Sequence, residues 1–347
     1  MESKTAAAMG LGGLVPAIVC LLASCGSRTP LLVPLDFGSS GLSVADAGVP
    51  LPADGGPVIG AIVFGGTTAA GDVGDTWVWS GTAWEELAVA GPSPRHSASM
   101  APLGENLVLF GGFNGQHSMA DTWVWGGRGW AEVSVATSPP ARNGAGFAPL
   151  GGELVLFGGY GGNDGGFSDL SDTWTWDGSS WTEVSTAGPL PRYQPAMATL
   201  NGKVVLFGGL SSDEYAFADT WTWDGSTWTA LDVNGPLARY AAVFAELDGE
   251  LVLFGGFDRN ANVFSDTWTW NGTAWTQVHV PGPSGRYAAA MTPFDGHLVL
   301  FGGVDDTSDA SGAILADTWT WDGATWTSQL VPGPTPRGYA VMGVRPL

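Results

Sequence analysis

The sequence predicts an all-β fold, a six-bladed β-propeller with four antiparallel strands per blade, and three repeating features predict it. A Phe-Gly-Gly corner occurs at Phe64, Phe110, Phe157, Phe207, Phe254 and Phe301, at intervals of 46, 47, 50, 47 and 47 residues. Each corner is followed by Asp-Thr-Trp, beginning at Asp75, Asp121, Asp172, Asp219, Asp266 and Asp317. Each Asp-Thr-Trp opens a Trp-x-Trp pair with a third Trp five residues on, which accounts for all 18 tryptophans. A fixed period of this length marks a repeat architecture, in which each unit buries its apolar face only against its neighbours.

Within one period the strands follow from turn chemistry. In the fifth copy the apolar or alternating runs are Arg239 to Ala245, Leu251 to Phe254, Thr267 to Trp270 and Trp275 to Val278. Asp248-Gly249, Gly255-Gly256, Asn271-Gly272 and Gly282-Pro283 separate them as turns. Trp268 and Trp270 alternate with threonine and share one face. Four short antiparallel runs per repeat make a propeller blade.

Side-chain size orders the strands radially. The first run carries Ala241-Ala242 or Ala288-Ala289-Ala290, the second Val, Leu and Phe, the third and fourth the Trp. Blades crowd at the axis and splay at the rim, so small residues belong inside and tryptophans outside if the gaps are to fill at native density. Burial of one Trp contributes about 2–3 kcal/mol, which makes the aromatic layer a packing device. The first repeat has a second strand, Val58 to Phe64, but no first strand ahead of it, whereas Arg337 to Val344 is a spare first strand at the C-terminus. That strand is expected to complete the first blade and close the ring, leaving no free edge.

The glycine doublet, the aromatic hairpin and the proline-rich approach to an arginine, six times in register over residues 58–344, resemble the kelch repeat family. The resemblance implies four-stranded blades in a closed ring. Tryptophan at both Trp-x-Trp positions departs from the commonest family pattern, without threatening the fold.

The chain begins with Lys4 and an apolar stretch from Thr5 to Ala23, which reads as a secretory signal over residues 1–24. Leu22-Ala23-Ser24-Cys25 resembles the bacterial lipoprotein lipobox, and by that resemblance Cys25 carries a lipid. Gly26 in place of Asp implies the outer membrane, facing the periplasm or the exterior. Residues 25–57, with Pro30, Pro34, Pro50, Pro52 and Pro57, read as a tether, and residues 58–347 as the propeller.

Twelve basic residues against 33 acidic ones give a net charge of −21. A polyanion would be repelled, so nucleic acid is excluded as a partner. Both cysteines, Cys20 and Cys25, precede the repeats, so the propeller has no disulfide and no thiolate metal site. The same absence removes the copper chemistry of galactose-oxidase-like relatives. The scattered His96, His117, His279 and His297 make no metal site, and Asp164, Asp169, Asp305, Asp306 and Asp309 match no EF-hand pattern. No cofactor is expected, and no Ser-His-Asp elbow, P-loop or Rossmann fingerprint is present.

Strand parity places the loops from strand four to one and from strand two to three on one face, called face A. Face B carries short, near-identical turns such as Asp177-Gly178 and Asp224-Gly225, whereas the face A loops vary in length, and variable loops on a rigid scaffold are where function usually sits. Phe113, Tyr160, Phe167, Tyr215, Phe217, Phe257 and Phe264 lie there as candidate contact residues. Arg95, Arg142, Arg192, Arg239, Arg286 and Arg337 open the first strands. They form either a guanidinium ring at the channel mouth, suited to carboxylates or sulfates, or ion pairs with the repeated aspartates across the Gly-Gly gap, as Arg239–Asp266, Arg286–Asp317 and Arg337–Asp75. The first functional expectation is a monomeric, non-enzymatic binding module for a protein or glycan. A sugar epimerase or mutarotase, which needs the blades to diverge at the axis, and a structural envelope protein are the alternatives.

Overall fold

The computed structural model describes residues 58–162, 167–184, 186–213, 215–260, 262–305 and 312–345. The signal, the Cys25 lipidation and the tether lie outside the described residues. Six four-stranded antiparallel sheets form a closed ring, a six-bladed β-propeller. From the axis outward, blade two is Ser99–Leu103, Asn106–Phe110, Thr122–Trp125 and Trp130–Val133. Blade five is Val243–Leu247, Glu250–Phe254, Thr267–Trp270 and Trp275–Val278. Blade one consists of Ala61–Phe64, Thr76–Trp79 and Trp84–Leu87, with Val341–Val344 as its innermost strand, paired through Ala61↔Val344 and Phe64↔Val341.

The inner strands begin later than the sequence suggests. Blade five opens at Val243 rather than Arg239, and the closing strand at Val341 rather than Arg337. The reason is a left-handed residue two positions after each arginine, where a strand cannot continue. Ser97, Gln194, Ala241, Ala288 and Tyr339 all have φ between 51° and 57°, and Gly144 has φ 61°. These six residues form a circle of backbone hydrogen bonds around the axis. Gly144 N donates to Ser97 O, Gln194 N to Gly144 O, Ala241 N to Gln194 O, Ala288 N to Ala241 O, Tyr339 N to Ala288 O, and Ser97 N to Tyr339 O, at 2.6–3.0 Å. The circle satisfies polar groups that strand pairing leaves over, and it joins every blade to the next.

Blade three departs from the others. Its second and third strands continue past the glycine pair as Glu153–Gly161 and Ser168–Trp176, with a bulge between Phe157 and Gly159. The connection between strands two and three of this blade, expected as a face A loop, is therefore in large part a β-ribbon, with Tyr160 opposite Asp169.

The core lies between blades. The middle Trp of each triplet (Trp79, Trp125, Trp176, Trp223, Trp270, Trp321) is at most 1% exposed. The third Trp of each triplet donates its indole N–H to the Thr of the preceding blade's Asp-Thr-Trp. Examples are Trp228 Nε1 to Thr173 Oγ1 at 2.9 Å and, across the closure, Trp84 Nε1 to Thr318 Oγ1 at 2.9 Å. The repeated threonine is thus an inter-blade acceptor. Alanines at the start of the inner strands, with Met100, Phe244 and their counterparts, line an axial cavity of about 180 Å³.

Candidate functional site

The six arginines are built into the scaffold. Each is at most 1% exposed. Arg239 Nη1 and Nη2 donate to Asp266 Oδ1 and Oδ2 at 2.5 and 3.0 Å, and Nη1 also donates to the Gly255 carbonyl at 3.0 Å. The same fork joins Arg95 to Asp121, Arg142 to Asp172, Arg192 to Asp219, Arg286 to Asp317 and Arg337 to Asp75. Each of these aspartates also accepts the indole N–H of the first Trp of its triplet, as Asp266 does from Trp268 at 2.7 Å. Burial alone would raise the carboxyl pKa of Asp75, Asp172, Asp266 and Asp317. The arginine, together with the indole, outweighs burial and holds all four below the ordinary value.

The arginine backbone works on the neighbouring blade. Arg239 N donates to Phe217 O, and Arg239 O accepts from Gly209 N, both in blade four. A Cβ on Gly208 would stand 2.4 Å from Arg239 O, so the first glycine of each corner makes room for the next blade's arginine backbone. A Cβ on the second glycine would crowd the carbonyl of the residue after its own blade's arginine, as at Gly209, where it would stand 3.2 Å from Tyr193 O. A guanidinium ring open to a ligand at the channel mouth is therefore not what these residues form.

Two of the expected contact aromatics belong to the same device. The Arg192 guanidinium lies 3.8 Å from the Phe217 ring centroid, and that of Arg239 lies 3.8 Å from Phe264. Phe217 is buried, a correction to its expected place on a contact surface. Phe113, Tyr160 and Phe257 are half-buried, while Phe167 and Tyr215 are 46% and 60% exposed. Tyr160 stacks on Phe167 and tilts against Tyr193, with ring centroids 5.7 and 5.6 Å apart.

The sequence reading missed the residues immediately after the arginines. Position by position these are His96, Asn143, Tyr193, Tyr240, Tyr287 and Gly338, and here the otherwise repetitive blades diverge. Each pairs through its backbone with the start of a face A loop, as His96 does with Phe113, Tyr193 with Leu210, Tyr240 with Phe257 and Tyr287 with Val304. Their side chains crown the channel mouth. An unbroken run of rings passes from Phe113 to His96, Tyr339, Tyr287, Phe257 and Tyr240, with successive centroids 5.5, 5.9, 6.2, 4.9 and 5.5 Å apart.

Tyr339 occupies the left-handed circle, where the other blades place Ser, Gly, Gln, Ala and Ala. Burial raises its phenol pKa, and the hydroxyls of Tyr287, Tyr240 and Tyr193 raise it further. Those three belong to blades six, five and four, and the Tyr339 ring itself lies between the His96 and Tyr287 rings. Burial likewise raises the pKa of Tyr240, as do Tyr193, Tyr287 and Asp258. Next to Tyr339, His96 Nδ1 lies 2.8 Å from Asp72 Oδ1, and both side chains are largely buried. His117 is exposed and contacts Asn114 instead. Among the described residues no group of three or more His, Cys, Asp and Glu is placed to hold a metal ion.

Fold and site together define a six-bladed propeller with a symmetric scaffold and an asymmetric axial crown on face A, an architecture that fits a binding module in general terms. No family model matches the chain, and no curated protein matches it.

Proposed function

We propose that the protein is a kelch-type propeller exported to the cell envelope and held there by a lipid on Cys25, after a signal over residues 1–24 and a tether over 25–57. It acts as a monomeric, non-enzymatic binding module for a protein or glycan, engaged by the face A crown and the loops around it. The divergence of the blades at the residue after each arginine carries this reading. Packing needs no difference there, whereas an asymmetric ligand does. Tyr193, Tyr240 and Tyr287 present half-buried rings, and aromatic side chains of this kind anchor interfaces. The test is capture from detergent-extracted envelope and binding to a glycan array, by the full chain and by a Tyr240→Ala/Tyr287→Ala variant that melts at the same temperature. A ligand held by the first and lost by the second supports the reading. Equal capture by both overturns it.

A second reading, a sugar epimerase or mutarotase, has one observation in its favour. Asp72 orients the His96 imidazole beside Tyr339, and a positioned base next to a phenol can move protons. Anomer interconversion followed by NMR, faster with the full chain than with His96→Asn, would support it. No acceleration over solvent would sink it.

A further inference from the structure

The crown has walls and a charge preference. The Tyr240 and Phe257 rings meet at 88° and the Tyr287 and Tyr339 rings at 72°, so the run of rings turns corners and does not form one flat platform. Phe257 tilts against Tyr287 at 37° with centroids 4.9 Å apart, which closes the side between them. Each of Tyr240, Phe257, Tyr287 and Tyr339 keeps part of its surface exposed.

Basic residues are scarce around these rings. Six of the twelve Lys and Arg are locked in buried Arg–Asp pairs. Of the others among the described residues, Arg128 and Lys203 stand in face B turns, and Arg345 pairs with Glu105, in a face B turn. Arg259 alone belongs to a face A loop. Beside it Asp258 accepts hydrogen bonds from Asn260 N, Asn262 N and Asn262 Nδ2, bonds that favour its ionised form. Asp258 directly follows Phe257, whose ring meets that of Tyr240. Ring faces carry negative potential, and perpendicular rings beside a carboxylate attract a desolvated organic cation. The protein already uses this chemistry at Arg192–Phe217 and Arg239–Phe264.

We infer that the box formed by Tyr240, Phe257, Tyr287 and Tyr339, with Asp258 at its edge, is a binding site for an alkylammonium group. This deepens the binding-module reading and rests on it. The same chemistry is offered by a lysine or methylated lysine side chain and by a choline headgroup. An anionic ligand finds no free guanidinium in the box and meets the field of a −21 chain.

Calorimetry and saturation-transfer NMR on the full chain test the proposal, with tetramethylammonium and n-butylammonium as probes and tert-butanol as the neutral isostere. The ammonium probes are expected to bind at least about tenfold tighter than the isostere, since ring faces attract a desolvated cation and not its neutral counterpart. Tyr287→Ala and Phe257→Ala are expected to weaken the probes about tenfold, and Tyr287→Phe, which keeps the ring, less than about threefold. Asp258→Asn weakens them at low salt and less at high salt, Arg259→Ala tightens them, and Lys203→Ala on face B changes nothing. Variants are compared only where their melting temperature matches the parent. A lysine-containing peptide and phosphatidylcholine vesicles as competitors separate the two sources of the group. Equal binding of tert-butanol, or probes indifferent to Tyr287→Ala, overturns the ammonium site. If that happens while a protein or glycan is still lost with Tyr240→Ala/Tyr287→Ala, the ligand class alone is wrong. If nothing depends on the crown, both readings fall.

Discussion

Arg337 Nη1 lies 2.6 Å from Asp75 Oδ1, although 262 residues separate them along the chain. This ion pair repeats within blade one the pair that every other blade makes from its own contiguous sequence. The last strand is therefore locked to the first repeat by side chains as well as by its backbone ladder. Arg337 is buried, so Asp75→Asn leaves a charge without its counterion. The expected loss is about 3–5 kcal/mol by chemical denaturation, as for other buried pairs broken on one side. Hydrogen exchange at Ala61–Phe64 is expected to rise before that of any other blade. Uniform acceleration across all blades would contradict closure by this pair.

Removing residues 338–347 deletes the innermost strand of blade one and exposes the edge of Ala61–Phe64. An open edge pairs with other chains. The truncated protein is expected to oligomerise or unfold in size-exclusion chromatography and thermal melts. A monomer of undiminished melting temperature would refute it.

Gly255 and Gly249 both have positive φ, 69° and 83°, but only Gly255 is crowded. A Cβ there would stand 2.3 Å from Arg286 O, whereas none of the surrounding atoms comes within 4 Å at Gly249. Gly255→Ala is expected to cost about 1–3 kcal/mol beyond the conformational cost that the two substitutions share. Equal losses in denaturant titrations would show that the corner yields.

Thr173→Val removes the acceptor of the Trp228 indole N–H inside the blade three–four interface. A buried donor left unpaired costs about 1–3 kcal/mol. Thr175→Val, at a partly exposed position on the same strand, serves as the control and is expected to change little. Similar losses in the two would mean that β-propensity or packing, not the bond, sets stability here.

Asp75, Asp172, Asp266 and Asp317 have lowered pKa values in the fold, because bonds from arginine and indole outweigh the burial that opposes them. The unfolded chain then takes up protons at a higher pH than the folded one. Stability from these groups is complete above the unfolded carboxylate value of about 3.9 and is lost as pH falls through the folded values. The melting temperature is expected to be flat or to rise slightly from pH 7 toward 5, as self-repulsion in the −21 chain eases, and to fall steeply below about 4. A fall already complete by pH 5 would point to other groups.

The repeats were legible because each uses the same residues for the same local task. Phe-Gly-Gly, Asp-Thr-Trp and the third Trp announce strands and turns by spacing alone, and the arginine and aspartate stand at the openings of strands one and three, with only the side-chain-free Gly-Gly pair of strand two between them. Phe217 looks like a surface loop residue until the Arg192 guanidinium against its ring is located. Nor does spacing reveal that the threonine of Asp-Thr-Trp accepts a bond from another blade.

The sequence by itself determined the number of blades, the strand order within each blade and the closure by residues near the C-terminus. Those depend on periodic patterns that any one repeat displays. Only the tertiary structure decided the axial crown. His96, Tyr193, Tyr240, Tyr287 and Tyr339 lie at least 47 residues apart along the chain and form no local motif. They meet because closing the ring carries the one or two residues after every blade's arginine to the axis, where side chains that differ between repeats become neighbours.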